Sequence, residues 1–118
     1  IFNSKPTVSH ATGLKEIIVE MTKNRLGATA VITEEGKISG IITDGDLRRM
    51  LEASSTLENI TAADILTLNP KTILEDDLAV NALEILKNND ISQLLVTNNK
   101  NNYLGVLHLH DLVKEGII

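Results

Sequence analysis

Gly40-Ile41-Ile42-Thr43-Asp44-Gly45-Asp46-Leu47-Arg48-Arg49-Met50 is the stretch from which the fold is read. Ile38, Ile41 and Ile42 predict an apolar strand that runs into Thr43. Asp44 and Gly45 make a corner. Asp46 opens a helix with Leu47, Met50 and Leu51 on one side. The stretch Gly105 to Glu115 has the same plan: Gly40 matches Gly105, Asp46 matches Asp111 and Leu47 matches Leu112, each 65 positions on. A strand–corner–helix unit that occurs twice predicts an internal repeat with paired sites.

Working outward, Leu14, Ile17, Ile18 and Met21 fall at helical spacing and predict an amphipathic helix over 14–24, with Thr12 as N-cap and Gly27 as its end. Residues 28–33 and 38–43 read as an antiparallel hairpin around Glu34-Glu35-Gly36-Lys37. With a short strand at Pro6-Thr7-Val8, the first unit has the order β-α-β-β-α. Thr61 and Asp64 have capping-box spacing, so the connector holds one helical turn that Asn69-Pro70 stops. The second unit repeats the order: a strand at 72–74, and a helix marked by Leu78, Ala82, Leu83 and Leu86 behind the acidic run Glu75-Asp76-Asp77. Hairpin strands at 94–97 and 104–107 follow around an Asn-rich turn, and the last helix runs over 109–115 with Gly116 after it. The expected division is a linker remnant over 1–5, unit 1 over 6–53, a connector over 54–70 and unit 2 over 71–118. Either unit alone is too small to bury a sufficient core, so the two are expected to share one.

Composition narrows the function. The chain has 118 residues, 42% of them apolar, and only Phe2 and Tyr103 are aromatic, so the core is aliphatic. Cysteine is absent, which excludes disulfides and thiolate metal sites. The formal net charge of −5 argues against nucleic acid as a partner. No apolar run approaches the ~20 residues of a membrane span, and the residues from Ile1 form neither a charged n-region nor an apolar h-region, so no signal peptide is expected. A cytoplasmic location and a piece of a longer protein are the expectations.

Tandem β-α-β-β-α units closed by Gly-apolar-x-Thr-x-x-Asp resemble the cystathionine-beta-synthase (CBS) domain pair, or Bateman module, over residues 6 to 116. The run Thr43 to Arg49, with Gly105 to Leu112 carrying His-Leu-His-Asp-Leu, is similar to the C-terminal half of the D-arabinose-5-phosphate isomerases. In those proteins a sugar-isomerase (SIS) domain precedes the pair. The resemblance implies an α/β (α+β) fold of two units related by a pseudo-twofold axis. It implies a regulatory or assembly role with no catalytic residues here, and self-association into a homodimer beside the upstream catalytic domain. It also implies a possible adenine or cytidine nucleotide, or a nucleotide-sugar, in the cleft between units, between aliphatic positions such as Val8, Ile41, Ile73 and Val106.

By that resemblance Thr43 contacts a phosphate and Asp46 holds ribose hydroxyls. The local alternative is a capping box, with Thr43 as N-cap and Asp46 at the third helical position. In the second unit His108 replaces Thr43 while Asp111 persists, which favours a role for the acid beyond capping. Arg48 and Arg49 could reach a phosphate with planar donors or lie solvated on the helix surface. His108 and His110 on an extended strand would share a face, half of a zinc site; with no third ligand placed nearby, no metal is expected. Two rivals remain: a ligand-free dimerisation module, and the CBS pair of another SIS-type isomerase.

Overall fold

The computed structural model describes residues 4–53, 56–114 and 116. The order is β1 (Thr7–Val8), α1 (Leu14–Asn24), β2 (Ala28–Ile32), β3 (Ile38–Thr43) and α2 (Asp44–Ala53), then α3 (Ala62–Ile65) and β4 (Thr67–Leu68) in the connector. The second half holds β5 (Thr72–Leu74), α4 (Ala79–Asn89), β6 (Gln93–Thr97), β7 (Tyr103–His108) and α5 (Leu109–Lys114). The four strands β1-β2-β3-β4 form one sheet and β5-β6-β7 the other.

The repeat extends to the hydrogen-bond register. Thr7 and Val8 pair in parallel with Ala30 and Val31; Thr72 and Ile73, 65 positions on, pair with Leu95 and Val96. Ala28 lies opposite Thr43 and Gln93 opposite His108, and both hairpins slip register at equivalent places, after Val31 and after Val96. Both long helices end on a left-handed residue, Arg25 at φ 56 and Asp90 at φ 52.

The core explains the unbroken apolar strands. Side chains alternate along a strand, so a sheet buried on both faces needs apolar residues at every position. Val31 and Ile42 point into a cluster with Ile17 and Met21 of α1 and with Ala62 and Ile65 of α3. Ala30 and Ile41 point the other way, into a cluster with Leu95, Tyr103 and Val106. Leu94, Val96 and Leu107 meet Ala82, Leu86 and Leu112 in the third cluster. Helices therefore cover the outer face of each sheet, and the inner faces pack on each other. Ala30 and Leu95 are repeat mates, as are Ile41 and Val106, so equivalent surfaces meet, as across a twofold axis.

Several local expectations are corrected. Gly13, not Thr12, precedes α1; the Thr12 hydroxyl oxygen instead accepts from the Ser9 N–H at 2.9 Å. Arg25 rather than Gly27 closes that helix, its N–H donating to the Met21 carbonyl. Leu51 is 54% exposed, whereas Leu47 and Met50 pack inward. The connector contributes β4, an antiparallel partner of β3 that its two exposed residues did not announce. The capping box of Thr61 and Asp64 is present. Gly116 has φ +76, as a residue after a helix end requires; Glu115 lies outside the described residues, as do Ile1, Phe2 and Asn3 of the expected linker.

Candidate functional site

β3 passes directly into α2, and this junction builds one wall of a cleft. Thr43 and Asp46 exchange hydrogen bonds in capping-box fashion: the Thr43 N–H donates to Asp46 Oδ2 at 2.9 Å, and the Asp46 N–H donates to Thr43 Oγ1 at 3.3 Å. The Thr43 hydroxyl also reaches Oδ2, at 3.1 Å. The other carboxylate oxygen, Oδ1, accepts from Arg49 Nη2 at 2.6 Å and from the Thr67 hydroxyl at 2.9 Å. Asp46 is 6% exposed. A carboxylate offers about four acceptor positions, and here four donors occupy them. A buried charge is tolerated only when paired in this way.

Gly40 makes that arrangement possible. A Cβ there would lie 2.6 Å from the Thr67 backbone oxygen and 2.7 Å from Leu66 Cδ1. Without a side chain at 40, β4 lies close against β3, and Thr67 comes within reach of Asp46.

The cleft has a volume of about 330 Å³. Ile41, Thr43, Asp46 and Arg49 line one side, Thr67 enters from the connector and Lys71 from just beyond it, and Ile91 and Gln93 come from the second unit. It therefore lies between the units. Its ionisable lining is Arg49, Lys71 and Asp46, a local excess of one positive charge in a chain of net charge −5. Gln93 ties the halves together beside it, with Nε2 donating to the Leu26 carbonyl at 3.0 Å.

Thr43 and Asp46 thus meet in the cleft. Arg48 is exposed and does not line it; Arg49, one position on, does. His108 and Asp111 occupy the matching junction of the second unit. There the His108 N–H donates to Asp111 Oδ2 at 2.8 Å, and His108 Nδ1 accepts from the His110 N–H at 3.0 Å. The imidazole takes the place of the threonine hydroxyl as a cap, which corrects the inference drawn from Asp111 persisting without a cap partner. An Nδ1 that accepts leaves the proton of the neutral ring on Nε2. The two histidines do not share a strand face, because His108 ends β7 and His110 lies in the first turn of α5. Among the described residues no group of His, Asp and Glu could hold a metal ion.

Of the four aliphatic positions expected at the cleft, Ile41 lines it; Val8 and Ile73 are in the core of their own units and Val106 is between the sheets. The sequence reading missed Thr67, Lys71 and Gln93. Thr67 and Lys71 lie in or beside the connector, and Gln93 opens β6, so no local pattern joins them to Thr43.

The model of the CBS domain matches residues 1–53 and 62–117. Arabinose 5-phosphate isomerase KdsD of Pseudomonas aeruginosa is 38% identical over 113 residues, 96% of this chain and 35% of the relative. KdsD of Francisella tularensis is 37% identical over 112 residues, 95% of this chain and 34% of the relative. The chain thus spans about a third of the length of these relatives. Among solved structures, the CBS domain protein PAE2072 from Pyrobaculum aerophilum, complexed with AMP, superposes with a TM-score of 0.85 at 22% identity, covering 95% of this chain and 86% of that one. The CBS domain of NE2398 superposes with a TM-score of 0.87 at 18% identity, covering 98% and 90%. No helix among the described residues is long and apolar enough to cross a membrane. With its two matched segments, repeated register and facing sheets, the chain belongs to the CBS-domain family, as a tandem pair.

Proposed function

We propose that this chain is the regulatory and assembly portion of a cytoplasmic D-arabinose 5-phosphate isomerase, and that the cleft between its units takes an adenine nucleotide. In this reading a SIS domain elsewhere in the parent protein interconverts arabinose 5-phosphate and ribulose 5-phosphate, and the pair carries no catalytic residue. The identity to KdsD over 96% of the chain supports the parent. The observation that carries the ligand is the cleft itself: about 330 Å³, with aliphatic Ile41 and Ile91 for a base and the cations Arg49 and Lys71 for a phosphate. A PAE2072 crystal holding AMP supports the same choice.

Titration calorimetry with AMP, ATP and CMP on this chain tests the ligand. Saturable heat with the adenine nucleotides, weakened in Lys71→Ala, is expected; no heat from any of them overturns it. The parent assignment predicts isomerase turnover by the full-length gene product and none by this chain.

A second reading, an assembly module without ligand, is favoured by the saturated Asp46. It draws support from the exposed helix residues Val19, Leu51, Val80 and Val113, each about half accessible. It predicts sedimentation as a dimer, unchanged by nucleotide; a monomer at every concentration removes it.

A further inference from the structure

We infer that Arg49 gates the cleft: it masks Asp46 in the empty protein and is drawn away by the phosphate of an incoming ligand, so that a phosphate on the ligand favours binding of its sugar diol. The inference rests on the cleft being a ligand site, and it deepens the nucleotide reading by naming what the ligand must carry and which residue enforces it.

Among the described residues Asp46 is the one carboxylate in the lining of the cleft, and a diol binds a carboxylate by donating two hydrogen bonds. All four donors now on Asp46 come from the chain itself. Three of them are built in. The Thr43 N–H and hydroxyl belong to the capping box, and the Thr67 hydroxyl is held by the pairing of β3 with β4. The fourth is different. Arg49 reaches back one helical turn, its side chain is 71% exposed, and its guanidinium lies across Gly45, with Nη1 3.3 Å from where a Cβ would stand. Of the four donors it alone is on a long, exposed and rotatable stem.

The same guanidinium lines the cleft beside Lys71. A phosphate entering between them offers Arg49 a bidentate partner of higher charge than one carboxylate oxygen. When Arg49 turns to it, Oδ1 regains an acceptor position for a hydroxyl. A ligand with a diol but no phosphate must displace Arg49 without offering it a new partner, and meets a carboxylate whose acceptor positions are already taken.

The test compares AMP, adenosine and ribose 5-phosphate by calorimetry on this chain and on Arg49→Met, which keeps the stem and removes the guanidinium. Arg48→Met, exposed and outside the cleft, is the control, and thermal melts confirm that each variant is folded. In the unaltered chain AMP should bind at least about tenfold more tightly than adenosine, the scale of one charge-assisted hydrogen bond. In Arg49→Met, AMP weakens, adenosine tightens and the two converge, while Arg48→Met keeps the preference. If adenosine weakens or stays unchanged in Arg49→Met, the gate is overturned while the nucleotide reading stands. If ribose 5-phosphate binds and shows the Arg49 dependence but neither adenine compound binds, the nucleotide reading fails and the gate stands. Absence of binding by all three to every variant overturns both.

Discussion

Lys37 and Asn102 occupy equivalent positions in the two halves, and they pair with each other as an isolated antiparallel bridge. Lys37 Nζ donates to Asn102 Oδ1 at 2.6 Å and to the Lys100 carbonyl at 2.9 Å. A residue that pairs with its own repeat mate marks where the pseudo-twofold axis passes. The axis thus runs through the tips of the two hairpins, and the gathering of Ala30 and Ile41 with their repeat mates Leu95 and Val106 in one cluster follows from it.

Asp46 and Asp64 sit in the same motif with different surroundings, and the difference sets their worth. Both accept from a threonine N–H at 2.9 Å, but Asp64 is exposed and Asp46 is buried with two further donors. Asp64→Ala should cost about 0.5–1 kcal/mol, as an exposed cap does. Asp46→Ala should cost about 1–3 kcal/mol, because it leaves the half-buried Thr43 N–H and hydroxyl without their acceptor, whereas the exposed Thr67 hydroxyl can turn to water. Urea midpoints of the two variants measure this; equal losses would refute the burial argument.

Gly40→Ala should separate β4 from β3. The added Cβ meets a backbone oxygen at 2.6 Å, which no rotamer change relieves. A loss of about 1–3 kcal/mol is expected, as for overpacking, with slowed or lost binding of cleft ligands. Gly13→Ala is the control. It has nothing within 4 Å of a Cβ and an ordinary φ of −77, so only the loss of a preferred helix cap applies, at most about 1 kcal/mol.

Tyr103 is buried between the sheets, and its hydroxyl donates to the Pro6 carbonyl at 2.7 Å. Burial, and after it the Glu20 carboxylate, pushes the phenol well above its ordinary range. The folded state then keeps the proton to higher pH than the unfolded chain does. The stabilisation is complete below about pH 10 and is lost as pH rises beyond it. Tyr103→Phe should lose about 0.5–1.5 kcal/mol at pH 7, since Pro6 O still accepts from the Ala30 N–H. At pH 11 the gap between the two proteins should narrow or reverse; urea unfolding at both pH values decides it.

Asp77 gives the opposite pH sign. Its Oδ1 accepts from Asn81 Nδ2 at 2.7 Å and from the Leu78 N–H at 2.8 Å, just ahead of α4. These bonds, the Asn81 one first, hold its carboxyl below the ordinary range. The contribution is present above about pH 4 and lost as pH falls through the lowered value. Asp77→Asn should lower the urea midpoint slightly at neutral pH and flatten the acid limb of the stability curve, so that the two proteins converge as pH falls; an unchanged acid limb would count against it.

The local rules carried the elements. Helical spacing of Leu14, Ile17 and Met21, continuous apolar strands and the repeated Gly-x5-Asp-Leu gave the order β-α-β-β-α twice, because each of these signals is written within a few residues. The same signals implied the doubling of the core, since one unit cannot bury its own sheet. What they could not place was β4, whose exposed Thr67 and Leu68 have no periodicity, or the partners that Thr67, Lys71 and Gln93 find across the chain. Only the folded arrangement decided that Asp46 is saturated, that Arg49 rather than Arg48 turns into the cleft, and that His108 caps a helix. Hydrogen-bond occupancy and side-chain direction depend on which elements come to lie side by side, and that is settled by packing between segments distant in sequence.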